Sequence, residues 1–66
     1  MKYGQLAFDI DGQKYLLQIL KSAAGFYIGT ADRGEPVSRE SQEYFRTRQA
    51  AEKSLSDGSW TQRLHL

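Results

Sequence analysis

Cysteine is absent from this 66-residue chain, and proline and histidine occur once each, as Pro36 and His65. Without cysteine there is no disulfide framework, no thiolate metal site and no thiol nucleophile. Small secreted domains usually need such staples, so the expected compartment is a reducing cytoplasm. No apolar run approaches the ~20 residues that span a bilayer. The N-terminus, Met1-Lys2-Tyr3-Gly4, carries no signal-peptide pattern. Charge of one sign is also scarce: nine Lys+Arg face eight Asp+Glu, a formal net of +1. That balance disfavours a protein that relies on a basic field to hold nucleic acid or anionic lipid.

What is present is the make-up of a folded chain. Hydrophobic residues are 39%, charged residues 26% and aromatics 12%, which disfavours disorder. The length predicts one small globular domain over residues 1–66, with a radius of gyration of ~11 Å. A domain this small buries only about 60% of its chain surface, which leaves little room for a large cofactor site.

Residues 4–10 alternate, with Leu6, Phe8 and Ile10 on one side and Gln5, Ala7 and Asp9 on the other, the pattern of a half-buried strand. Asp11-Gly12 reads as a type I′ hairpin turn into a second strand over 13–21. That register places Leu6, Phe8, Tyr15, Leu17 and Ile19 on the core face. The opposite face then carries Tyr3, Leu16 and Leu20 among polar residues, an apolar patch suited to a partner or a second copy. Phe26 to Ala31 reads as a third strand, Asp32-Arg33-Gly34-Glu35 as a turn, and Val37 to Ser41 as a possible fourth strand. Ser38 to Asp57 allows one long helix. The preferred reading is a strand, a bend, and a helix capped by Thr47 and ended by Gly58, with Ala51 and Leu55 facing the core. Trp60 to Leu64 reads as a last strand. The fold class expected is α+β: an antiparallel β-meander of three to five strands with one helix in its second half, in the order β-β-β-(β)-α-β.

Chemistry-bearing patterns are few. His65 stands beside the C-terminus, a poor place for a general base. Asp9-x-Asp11-Gly12 resembles the start of a calcium loop, but Tyr15 and Leu17 stand where oxygen ligands belong. The six glycines are scattered at 4, 12, 25, 29, 34 and 58 and form no phosphate cradle. No catalytic residue, metal site or small-molecule cofactor is therefore assigned, and the protein is not read as an enzyme.

Arg33, Arg39, Arg46 and Arg48 are interleaved with Tyr27, Tyr44, Phe45 and Trp60. Arginine and aromatics serve both nucleic-acid surfaces and protein hot spots. Glu35, Glu40 and Glu43 bring residues 33–48 to a net of only +1. The run from Gly25 to Ile28, the turn at 32–35, and the helix Tyr44-Phe45-Arg46-Thr47 onward to Leu55 together resemble the arm-binding domains of phage integrases and many small prophage proteins. The resemblance covers about half the chain and implies a strand-turn-strand-helix layout. In the integrase domains the sheet presents Lys and Arg to DNA; here Tyr27, Gly29, Ser38 and Glu40 take that place. The function expected is a non-enzymatic interaction module, of bacterial or phage type, that docks on a protein partner or on itself as a homodimer. Its candidate binding residues are Tyr3, Leu16, Leu20, Arg39, Tyr44, Arg46 and Arg48. The alternative is a nucleic-acid-binding regulator using segment 33–48. No membrane partner is expected.

Overall fold

The computed structural model describes residues 3–65. The protein is α+β, with the order α1 (Gln5–Asp11), β1 (Gln18–Ser22), β2 (Gly25–Asp32), β3 (Glu35–Arg39) and α2 (Arg48–Asp57). The three strands form one antiparallel sheet in the order β1-β2-β3. The radius of gyration is 10.8 Å. Among the described residues, no helix is long and apolar enough to cross a membrane.

The middle of the chain follows its turn chemistry. Ser22 to Gly25 joins β1 to β2, with the Ala24 N–H donating to Ser22 Oγ at 3.2 Å. At the β2–β3 turn, Arg33 (φ 54°) and Gly34 (φ 84°) both adopt left-handed backbone, the pair of angles a two-residue hairpin requires. Pairing then runs from Gln18 opposite Gly29 to Ser22 opposite Gly25, and from Gly29 opposite Arg39 to Asp32 opposite Glu35. A shift between Thr30 and Ala31 interrupts the second ladder. The sequence-expected strand 37–41 is thus β3, shifted toward the turn.

α2 forms as its caps dictate. Thr47 Oγ1 accepts from the Ala50 N–H at 3.0 Å, and Gly58 closes the helix at φ 72°, its N–H donating to Ser54 O. Ala51 is fully buried, while Leu55 is half-buried. Ser38 lies in β3, so there is no long helix from Ser38.

The N-terminal third departs from expectation. Residues 5–11 are a helix rather than a strand, so the described residues form two helices and no Asp11-Gly12 hairpin. Gly12 is instead the helix stop, with φ 73° and its N–H donating to Phe8 O at 2.8 Å. The same dipeptide serves either end because both a type I′ turn and a helix C-cap need left-handed backbone. Asp11 Oδ1 accepts from the Gln13 N–H and Asp11 Oδ2 from the Tyr15 hydroxyl, both at 3.0 Å. Phe8, placed in the core by the strand reading, is 47% exposed, and Ile10 is also exposed. Leu6 and Ala7 are the buried pair. Tyr15, Leu17 and Ile19 are half-buried. Tyr3 pairs with Leu16. The last expected strand, Trp60 to Leu64, contributes a single antiparallel bridge, Gln62 to Ser41.

The interior is small and unusually polar. Its apolar members are Leu6, Ala7, Tyr27, Ile28 and Ala51; Thr30, Ser38, Glu40 and Ser41 are buried with them. Glu40 is completely enclosed. Its Oε1 accepts from the Leu6 N–H (3.0 Å) and Gln62 Nε2 (2.8 Å), and its Oε2 from the Ala7 N–H (3.0 Å) and Ser38 Oγ (2.5 Å). A carboxylate offers about four acceptor sites, so four donors saturate it. Burial by itself would raise its pKa; the Ser38 hydroxyl, the Leu6 amide, the Gln62 amide and the Ala7 amide outweigh this and hold it below the usual glutamate value. Gly4 passes so close that a Cβ there would lie 2.8 Å from Glu40 Oε2 and would collide with Thr30.

Candidate interaction surface

Strand alternation divides the sheet into two faces. Phe26, Ile28 and Thr30 point to one face, and both helices lie there. α1 seats its first amides on Glu40, beside Thr30 and Ser38, and α2 brings the Arg48 guanidinium to 5.5 Å from the Phe26 ring. The opposite face carries Gln18, Leu20, Tyr27, Gly29 and Arg39, with Leu20 opposite Tyr27 and Gly29 opposite both Gln18 and Arg39. Among the described residues no helix covers it.

On that face an aromatic–arginine cluster is assembled. The Tyr27 ring lies against Gly29, where a Cβ would be 2.9 Å from Tyr27 Cε2. Tyr44 meets Tyr27 edge-on, with centroids 5.9 Å apart and planes at 76°, a favoured aromatic geometry. The Arg39 guanidinium lies 4.7 Å from the Tyr44 centroid, within cation–π range. Burial pushes the Tyr27 phenol pKa up and Tyr44 adds to this, while Arg39 acts in the other direction. The phenol is therefore a neutral hydrogen-bonding group. Tyr44 reaches the face because the chain after β3 returns to β2: Phe26 and Phe45 exchange backbone hydrogen bonds of 2.9 and 2.7 Å.

A shallow cleft of about 420 Å³ adjoins the cluster, lined by Arg39, Gln42, Arg63, Leu64 and His65. Its far wall is the C-terminal segment. The Gln42 N–H donates to Thr61 O (2.9 Å), the Arg63 N–H to Glu40 O (2.7 Å), and Arg63 Nη1 to Arg39 O (3.3 Å). Glu43 adds a clamp by accepting from the Thr61 N–H through both oxygens. Burial opposes ionisation of Glu43, but the Thr61 contacts prevail and lower its pKa.

Of the sequence-predicted binding residues, the structure brings together Leu20, Arg39 and Tyr44 on the helix-free face. Tyr3 and Leu16 form a separate exposed pair, with Lys14 Nζ 5.8 Å from the Tyr3 ring. Arg48 goes to the opposite face, onto Phe26. Arg46 is exposed in the approach to α2. Sequence reasoning missed Gln42 and Arg63. Their meeting depends on the Ser41–Gln62 bridge, for which local sequence carries no signal.

The helix-free face and the basic cleft define a small α+β chain whose chemistry-bearing side chains converge as an arginine–aromatic surface. No protein-family model, no curated protein and no solved structure matches this chain. The integrase-like layout noted in the sequence therefore has no matching relative behind it.

Proposed function

We propose that this protein is a non-enzymatic interaction module that docks a short segment of a partner protein on its helix-free sheet face. The observation that carries this reading is exposed Tyr44 with the Arg39 guanidinium against its ring, packed on buried Tyr27 beside half-buried Leu20, on a face that neither helix covers. Tyrosine and arginine are the residues that dominate binding energy at protein interfaces. The size of the face selects the kind of partner. Three strands of this length span a flat area of about 300 Å² from strand spacing and rise, and with Tyr27 and Gly29 buried only part of it is open. A stable dimer needs about 800 Å² per partner. A peptide-sized segment suits the face better than a second copy.

The spread of the arginines favours protein over nucleic acid. Arg33 sits in the β2–β3 turn, Arg39 on the helix-free face and Arg48 on the opposite face. They do not line one track for a phosphate backbone, and the net charge is only +1.

Selection of short displayed peptides against the purified protein tests the proposal. Enriched peptides are expected to lose about tenfold or more in affinity with Leu20→Asp or Tyr44→Ala, about 1.4 kcal/mol or more. Arg48→Ala, on the far face, is expected to leave them unchanged. Failure to enrich any binder, or binders indifferent to Tyr44→Ala, would overturn it. Tight duplex DNA binding that falls steeply with salt would favour the regulator reading instead.

A further inference from the structure

We infer that the cleft between β3 and the C-terminal segment is a carboxylate site. This rests on the docking proposal, because the carboxylate arrives on the docked peptide. Two arginines, Arg39 and Arg63, line the cleft together with Gln42 and His65. None of the described lining residues is acidic. Glu43, the carboxylate next along the chain from Gln42, is occupied by the Thr61 N–H. Among the described residues, the cleft is therefore lined by cations and donors without an acidic partner.

One donor is conspicuously unmet. Arg39 Nε is buried without a hydrogen-bond partner among the described residues, an enclosed donor that leaves the terminal nitrogens of the guanidinium to meet a ligand. The Tyr44 ring fixes one side of the Arg39 guanidinium, which restricts the long side chain before any ligand arrives. A planar carboxylate matches the fork of an arginine, taking two parallel hydrogen bonds. Leu64 supplies an apolar wall. A phosphate on a nucleic acid brings a chain of further charges that a molecule of net charge +1 is not built to match.

The carboxylate could belong to an acidic side chain or to a peptide C-terminus, and three probes separate these sources. The first is acetylated, amidated phenylalanyl-glutamyl-phenylalanine. The second is its glutamine analogue with a free C-terminus, and the third is that analogue amidated, with no carboxylate at all. Each is titrated into the ¹⁵N-labelled protein at matched ionic strength, with inorganic phosphate as a fourth arm. The Nε–Hε signals of Arg39 and Arg63 are followed with the backbone amides of Leu20, Tyr27 and Tyr44. At least one carboxylate peptide is expected to shift both arginine signals saturably, about tenfold more tightly than the neutral peptide. Arg63→Gln, with its spectrum still dispersed, is expected to remove most of that preference. The site is overturned if the neutral peptide shifts the arginine signals equally, or if phosphate does so as tightly as the peptides. Shifts at Leu20, Tyr27 and Tyr44 with all three peptides but none at the arginines would overturn the site alone. No shift at either set would overturn the docking proposal as well.

Discussion

The two helices are stabilised at their N-termini in opposite ways. α2 carries its own start: Thr47, three residues before Ala50, accepts that residue's N–H. α1 has Gly4 at the same position, with no side-chain acceptor. Its first amides are met by Glu40, 34 and 33 residues away. Their C-termini are nearly alike, with Gly12 at φ 73° and Gly58 at φ 72°. A seven-residue helix is too short to persist on its own, so α1 exists because a buried carboxylate from beside β3 holds it. A helix stopped by a glycine can thus be started by its neighbour in sequence or by its neighbour in space.

The largest break in this comparison is Glu40→Ala. It strands the Leu6 and Ala7 amides, and each buried unsatisfied group costs about 1–3 kcal/mol. Denaturant unfolding is expected to show a loss of about 3 kcal/mol or more, with α1 signals dispersing before those of α2. Acid should act on the same contact. Because the folded pKa of Glu40 is lowered, its stabilisation is fully present above the ordinary glutamate pKa of about 4.3. It is lost as pH falls through the lower folded value. Glu43 behaves in the same sense. Glu40→Gln should therefore flatten, but not abolish, the loss of stability on acidification, read as denaturation midpoint against pH.

Gly4→Ala perturbs the same α1 contact without touching a charge. The added methyl would press on Thr30 and Glu40, and overpacking of this kind costs about 1–3 kcal/mol. A loss near zero would show that the Gly4–Glu40 approach is not tight. The smallest effect is expected at the self-sufficient helix. Thr47→Ala should cost about 1 kcal/mol and leave the Leu6 and Ala7 amides as protected from hydrogen exchange as before.

The same comparison explains where the sequence was readable. Over residues 26–39 and 47–58, the signals act within a few residues of their effects. Gly34 sets the β2–β3 turn, β-branched and aromatic residues fill β2, and Thr47 and Gly58 bracket α2. Residues 5–11 offered only alternation, and Leu6, Phe8 and Ile10 fit a strand until Glu40 is placed. Asp11-Gly12 then reinforced the wrong choice, since its left-handed glycine serves a hairpin and a helix end equally. The candidate surface was partly legible for a similar reason. Leu20, Arg39 and Tyr44 could be singled out by type, but Arg48 belongs to the other face, and Gln42 and Arg63 join through a bridge between Ser41 and Gln62.

The β2–β3 turn and the second helix were written in the sequence, because caps and turns are short-range interactions between adjacent residues. Only the tertiary structure decided that the first segment is a helix, that a glutamate forms the centre of the interior, and that one sheet face is left for the aromatic–arginine cluster. Those outcomes depend on Glu40, Ser38, Gln62 and the Leu6 and Ala7 amides being in one place. A buried carboxylate is tolerable only when all of its donors arrive together.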